Sequence, residues 1–183
     1  VPSNLTYRHG QMLDLPFEDD TFDFVFSRFV LVHATDPGAA ISEMVRVTKS
    51  GGTVAAYDMV HSGIWFSPLK PAFKEVLRAA MDTMRGYGME PDQGLHLGPS
   101  MIRVGLTDVH VQPIPHGFLA SDPGYEEYRT NWIETVASLD EILQDRFELS
   151  QLEAAVAELS DPSPDQGLLE TTVLAWGQKP GSI

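Results

Sequence analysis

The chain has 183 residues and a mass of 20.2 kDa, one domain's worth, and 43% apolar with 21% charged residues excludes a disordered or collagen-like polymer. Twelve Lys and Arg against 26 Asp and Glu leave a net charge of −14, and the basic residues form no run of three, which excludes a nucleic-acid or anionic-lipid surface on electrostatic grounds. Cysteine is absent, so disulfides, thiolate metal sites, iron–sulfur clusters and cysteine nucleophiles are excluded together.

The first sixty residues alternate strand and helix, the pattern of a parallel α/β sheet with crossover helices. Leu5 to His9 reads as a short strand and Asp14 to Thr21 as an acidic turn. Phe22-Asp23-Phe24-Val25-Phe26 reads as a strand buried on both faces. Asp36-Pro37 is an N-cap followed by proline at the first helical position. The helix carries Ile41, Met44, Val45 and Thr48 and is expected to stop at Gly51-Gly52, before a strand over Thr53 to Tyr57. Phe73, Val76, Leu77, Ala80, Met81 and Met84 lie on one face of a long amphipathic helix that Gly86 and Gly88 end.

Residues 89–98 read as an irregular loop, Pro99 to Val104 as a short helix, and Val109 to Gln112 as a strand closed by Pro113 and Pro115. Asp122-Pro123 repeats the N-cap device for a helix with Tyr125, Tyr128, Trp132, Val136 and Leu139, expected to run to about Phe147. Ser150-Gln151-Leu152-Glu153 has the form of a capping box before a last helix, and Thr171 to Trp176 is a closing strand. No apolar run reaches ten residues and no basic, apolar leader is visible. The expectation is a cytoplasmic protein without a membrane span.

Residues 9–58 carry the functional signal. Leu13-Asp14-Leu15-Pro16-Phe17-Glu18-Asp19-Asp20-Thr21-Phe22-Asp23-Phe24-Val25, then Val30-Leu31-Val32-His33-Ala34-Thr35-Asp36-Pro37, then Glu43-Met44-Val45-Arg46-Val47-Thr48-Lys49-Ser50-Gly51-Gly52 resemble, in order and spacing, the stretch from before the fourth strand to the fifth strand of class I S-adenosylmethionine-dependent methyltransferases of the small-molecule, UbiE-like type. Gly105-Leu106-Thr107-Asp108-Val109 and Ala175-Trp176-Gly177 resemble the family's last helix–strand step and closing strand more weakly. The resemblance implies an α/β, Rossmann-like, mostly parallel sheet forming a single domain over residues 1–183, with helical insertions at about 68–88 and 122–160 capping an acceptor site.

In open parallel sheets ligands sit beyond the carboxyl ends of strands, which directs attention to Gly10-Gln11-Met12, Ser27-Arg28-Phe29 and Asp58-Met59. By the resemblance, Gln11 and Met12 contact the adenine of S-adenosylmethionine. Gln11 stands where the family commonly has aspartate, and its amide oxygen can accept the same bond. Ser27 and Arg28 match the strand end that meets the cofactor's methionine moiety. His33 matches a turn histidine near the reaction pocket, either as general base for an oxygen or nitrogen acceptor or as a residue that packs and orients the turn.

His61, Trp65 and Phe66, and Tyr125, Tyr128 and Trp132, are candidates for an acceptor pocket or for ordinary core. His96, His110 and His116 lack metal-ligand spacing, so no metal is expected, and Arg46 and Lys49 read as complements to a helix dipole.

No G-x-G-x-G occurs, so the family's cofactor cradle and ribose-binding acid have no counterpart, and the resemblance begins at the third strand. Two βα units, on the order of 60 residues, are expected ahead of Val1, and the third strand as it stands has no neighbour. The expected function is methyl transfer from S-adenosylmethionine to a small, hydrophobic molecule, with a homodimer as one way to close the gap. The alternative is a truncated or degenerate methyltransferase-like module without activity that binds a partner.

Overall fold

The computed structural model describes residues 4–139, 143, 147–161 and 163–181. Four strands form one open sheet in the order β1-β2-β4-β3: β1 Phe22–Arg28, β2 Thr48–Ser67, β3 Thr107–Leu119 and β4 Gly167–Gln178. The helices are α1 Pro37–Val47, α2 Pro71–Gly86, α3 Leu97–Arg103, α4 Tyr125–Ala137 and α5 Leu149–Ser160, with single 3-10 turns at Leu31–His33 and Gln93–His96. This is the expected α/β, Rossmann-like class. The chain divides into two compact units, and β2, β3 and β4 each contribute to both.

Unit 1 comprises residues 1–58, 93–112 and 173–183. Here β1 runs parallel to β2, with Phe24 beside Thr53 and Arg28 beside Tyr57. Helix α1 starts where the sequence places it, since the Asp36 carboxylate accepts the Ala39 N–H at 2.9 Å and proline follows at the first helical position. It stops earlier than expected, at Val47, because Thr48 turns extended and its hydroxyl donates to the Met44 carbonyl at 2.7 Å. Gly51 and Gly52 instead face Lys179 together as a bulge. Gly51 adopts φ +77°, its N–H donates to the Lys179 carbonyl at 2.8 Å, and the Lys179 N–H returns to Gly52 at 2.9 Å. A Cβ on Gly52 would lie 2.9 Å from the Asp23 carbonyl oxygen, so the close approach requires glycine.

Two expectations for unit 1 fail for one reason. Leu5–His9 is not a strand and stays exposed, and Phe24 and Phe26 on β1 remain 59% and 49% exposed rather than buried on both faces. Strand β1 is the edge of the sheet, and no neighbour pairs with it on that side among the described residues. Residues 93–98, expected as loop, are helical, with Gln93 and Leu97 buried.

Unit 2 comprises residues 59–92 and 113–172. Helix α2 follows its apolar stripe, burying Phe73, Val76 and Met81, and ends in a Schellman turn. There Gly88, at φ +81°, donates to Arg85 and Met89 donates back to Met84. Helices α2, α4 and α5 pack together around Phe73, Val76, Trp132, Val136, Leu152 and Leu159.

Strand β3 passes through Pro113 and Pro115 instead of closing before them. It is the other edge strand, and residues two apart direct their N–H positions to the same side, so both prolines fit where no ladder bond is needed. Asp122 does not cap α4. Gly124 occupies that position at φ +94°, and the Asp122 carboxylate accepts the Leu119 N–H at 2.7 Å. Helix α4 ends at Ala137, and residues 140–142 and 144–146 of its expected continuation lie outside the described residues. The capping box of α5 uses Glu148 and Gln151, two residues before the expected pair. The expected insertions thus contain α2, α4 and α5.

Candidate functional site

In unit 1 a cavity of about 290 Å³ runs along β1 between the 12–17 loop and α1, lined by apolar side chains that include Leu15, Phe22, Phe26 and Met44. Two of the residues singled out in the sequence, Met12 and Ser27, line it together. Ser27 Oγ is buried with no hydrogen-bond partner among the described residues, an isolated polar atom in an apolar wall. Gln11, Arg28 and His33 are exposed and do not line the cavity. The Gln11 carbonyl accepts the Asp14 N–H at 3.0 Å, closing the loop that carries Met12.

The end of β1 is held under backbone strain. Phe29, a bulky residue, adopts φ +53°, and its N–H continues the parallel ladder to the Tyr57 carbonyl at 2.9 Å. The Arg28 guanidinium lies 4.7 Å from the centroid of the Phe29 ring, which packs 5.1 Å from Tyr57. Next comes the turn bearing His33, whose N–H donates to the Val30 carbonyl at 3.0 Å. The turn is tied to β2 by the fully buried Asp58, whose carboxylate accepts the Val32 N–H at 3.1 Å.

The cavity's outer wall is fixed by a second lash. Arg46 grips Glu43 through two nitrogens, at 2.9 and 2.7 Å, reaches Asp19 at 2.7 Å and donates to the Leu15 carbonyl at 3.1 Å. Glu43 in turn accepts the Leu15 N–H at 2.8 Å. The Arg46 hydrogen bonds hold the Glu43 carboxyl below its ordinary value, against the opposing effect of its burial. Arg46 therefore does more than the dipole complement the sequence implied: it anchors the loop that carries Leu15 and Phe17 over the cavity.

Unit 2 holds a different constellation. Most of the expected aromatic candidates are core, with Phe66, Tyr125 and Trp132 at most 5% exposed, whereas Trp65 is 52% exposed. Within this core lies Glu170, 6% exposed, accepting the Trp132 indole N–H at 3.2 Å. Burial pushes its carboxyl up, opposed by that hydrogen bond and by nearby His116.

The Thr172 hydroxyl donates to the Ile114 carbonyl at 3.2 Å, and His116 lies between two hydroxyls, with Nε2 3.2 Å from Thr172 and Nδ1 3.2 Å from Tyr128. His61 sets its Nδ1 against the Pro91 carbonyl and its ring edge-on to Trp132 at 6.5 Å. Sequence reasoning missed Glu170. Its signal is an acid on the inward parity of the run Leu168, Glu170, Thr172. Among the described residues no group of three or more His, Cys, Asp or Glu side chains can hold a metal ion, and no helix is long and apolar enough to cross a membrane.

The four-stranded open α/β sheet is Rossmann-like, and the unit 1 cavity lies alongside the end of β1. Residues 1–56 match the methyltransferase-domain family. The chain is 33% identical over 135 residues to the demethylmenaquinone methyltransferase of Halalkalibacterium halodurans, covering 66% of this chain and 54% of that protein. It is 38% identical over 93 residues to the demethylmenaquinone methyltransferase of Streptomyces avermitilis, covering 50% and 39%.

Its fold is similar to that of the YcgJ protein from Bacillus subtilis, with 16% identity and a TM-score of 0.58 over 98% of this chain and 73% of that one. The match over residues 1–56, these relatives and the shared fold support a class I S-adenosylmethionine-dependent methyltransferase. It spans about half the length, 54%, of the Halalkalibacterium relative.

Proposed function

We propose that this chain contributes the strand-four side of the cofactor site, and the acceptor-side elements, of an enzyme that moves a methyl group from S-adenosylmethionine to a small, hydrophobic molecule. The observation that carries the proposal is the unit 1 cavity, where the family-matched Met12 and Ser27 converge and Ser27 Oγ is buried without a partner. An apolar wall with one unused hydroxyl suits part of a nucleoside-type ligand, and about 290 Å³ is the low end of ligand-pocket size. When bound, the cofactor supplies a sulfonium methyl group.

The roles of this chain's residues follow. Met12 packs an apolar face against the adenine, and the exposed Gln11 amide is free to reach its exocyclic amine. Ser27 donates to or accepts from the buried part of the ligand, and Arg28 flanks the same strand end. Met12 and Ser27 would hold the cofactor so that its sulfonium methyl group could be presented to the acceptor's lone pair. The acceptor's proton goes to His33 or to water, and Asp58 positions the His33 turn from behind.

Two relatives are named for demethylmenaquinone, which makes a reduced quinone ring the first acceptor to offer, since a methyl acceptor must be a nucleophile. The reading takes the protein as cytoplasmic and as acting on a small molecule rather than nucleic acid, and it admits a homodimer. The second reading, a partner-binding module without activity, is favoured by the open edge of β1 with its stacked, exposed Phe24 and Phe26.

Methyl-labelled S-adenosylmethionine and reduced demethylmenaquinone, incubated with the protein, test the proposal. Label in the organic extract that falls at least tenfold in Ser27→Val is the expected result. Label that stays in water while the cofactor binds refutes this acceptor. Absence of cofactor binding favours the partner-binding module.

A further inference from the structure

A large cavity lies within unit 2, where the family-matched segment has no part. It is a groove of about 770 Å³ at the far ends of β2, β3 and β4. Its floor is low because two glycines, Gly117 on β3 and Gly167 on the neighbouring β4, contribute no side chain. A Cβ at Gly117 would meet Leu169 at 3.9 Å, and one at Gly167 would meet the Leu119 side chain at 3.6 Å, so larger residues would fill the channel. Its walls are Phe66, Phe118 and Leu168. Its rim is Trp65, Leu69, Leu119 and Leu169, large apolar side chains left 46–58% exposed.

Among the described lining residues only Asp122 is ionisable, and its carboxylate accepts the Leu119 N–H. With no basic side chain among its described lining residues the groove offers nothing to an anionic ligand, and its wet apolar rim gains roughly 25 cal/mol for each Å² that a ligand covers.

We propose that this groove binds a single uncharged hydrocarbon chain, such as the apolar tail of an amphiphilic small molecule. Its volume matches a drug-sized ligand. A second copy of the chain is a poor occupant, because a two-fold contact would set one concave groove against another. A lipid surface is a poor occupant too, since the apolar side chains ring a depression and the protein carries −14. The groove deepens the function proposed above by giving the apolar part of the acceptor a place, and it rests on that reading only in calling its ligand an acceptor.

Bromoundecanol, an uncharged chain whose bromine quenches tryptophan on contact, tests it with the full chain. Saturable quenching is expected, lost in Trp65→Phe although Trp132 and Trp176 remain. The affinity falls about tenfold or more in both Gly117→Leu and Leu169→Asp while the melting temperature stays within a few degrees. Leu169 is half-exposed, so the second variant keeps the test valid if the first misfolds.

Quenching that rises without saturation, or that is equal in the properly folded variants, overturns the proposal. So does quenching seen only with phosphatidylcholine vesicles, or a doubling of molecular mass that shields Trp65. Titration with S-adenosylhomocysteine separates the two readings: cofactor binding without quenching refutes the groove alone, and quenching without cofactor binding refutes the methyltransferase reading alone.

Discussion

The two units place their ionisable groups by opposite means. In unit 1 Glu43 and Arg46 pair one helical turn apart and together reach the 15–19 loop. They lie at or near the surface, and the Glu43 carboxyl is held down by a cation. In unit 2 the polar groups come from elements distant in sequence, Trp132 from α4 meeting Glu170 from β4, inside an apolar core. There burial pushes the carboxyl up. The first arrangement marks a surface loop lashed into place over a cavity. The second marks a polar layer whose energy depends on the whole core being packed.

The largest break in that contrast is Trp132→Ala. It deletes a side chain 4% exposed that packs edge-on to Phe73 and strands the Glu170 carboxyl. Chemical denaturation is expected to show a loss of about 3–5 kcal/mol. A loss below about 1 kcal/mol means the layer is not part of the cooperative core.

Arg46→Met, by comparison, frees the 15–19 loop without opening the core. Limited proteolysis is expected to cut at that loop several-fold faster while the near-ultraviolet signal of the Trp132 core is kept. Unchanged cleavage means the lash is ornamental.

The two glutamates sharpen the comparison through pH. The folded protein keeps the Glu170 proton to higher pH than the unfolded chain, so stability is full below the ordinary value of 4.5 and falls as pH rises towards the raised value. Glu43 has the opposite sign: its contribution is present above 4.5 and is lost as pH falls through its lowered value. Glu170→Gln, which keeps an acceptor for the indole, is expected to flatten the decline on the alkaline side alone, and Glu43→Gln the acid side alone. Melting curves across pH 3 to 8 check both (roughly one kcal/mol or less per pH unit). The smallest effect belongs to Asp122→Ala, expected to cost about 1 kcal/mol or less and to leave the helicity of α4 unchanged, because Gly124 rather than Asp122 stands at its start. A loss of helical signal contradicts that.

What the sequence made legible tracks the same division. Helix α1 was legible from Asp36, Pro37 and its apolar stripe, where local spacing sets geometry, whereas Met12 and Ser27, which line one cavity, were singled out only through the family resemblance. The burial of Phe24 and Phe26 was misread because a continuous apolar run does not say whether its strand is central or at an edge. The same blindness to sheet position stopped β3 at Pro113. The α4 and α5 caps went astray because Asp122 and Ser150 are acceptable cap residues by type, and only the turn geometry decides between them and Gly124 or Glu148. Glu170 and the glycine-floored groove escaped because their partners lie tens of residues away.

The central claim is that the unit 1 cavity is part of a cofactor site, and calorimetric titration of the chain with S-adenosylhomocysteine tests it most directly. The predicted result is saturable one-to-one binding that Ser27→Val weakens about tenfold, as loss of a buried hydrogen bond requires, with the fold unchanged. Absence of heat from a folded sample, or equal binding by Ser27→Val, would contradict it.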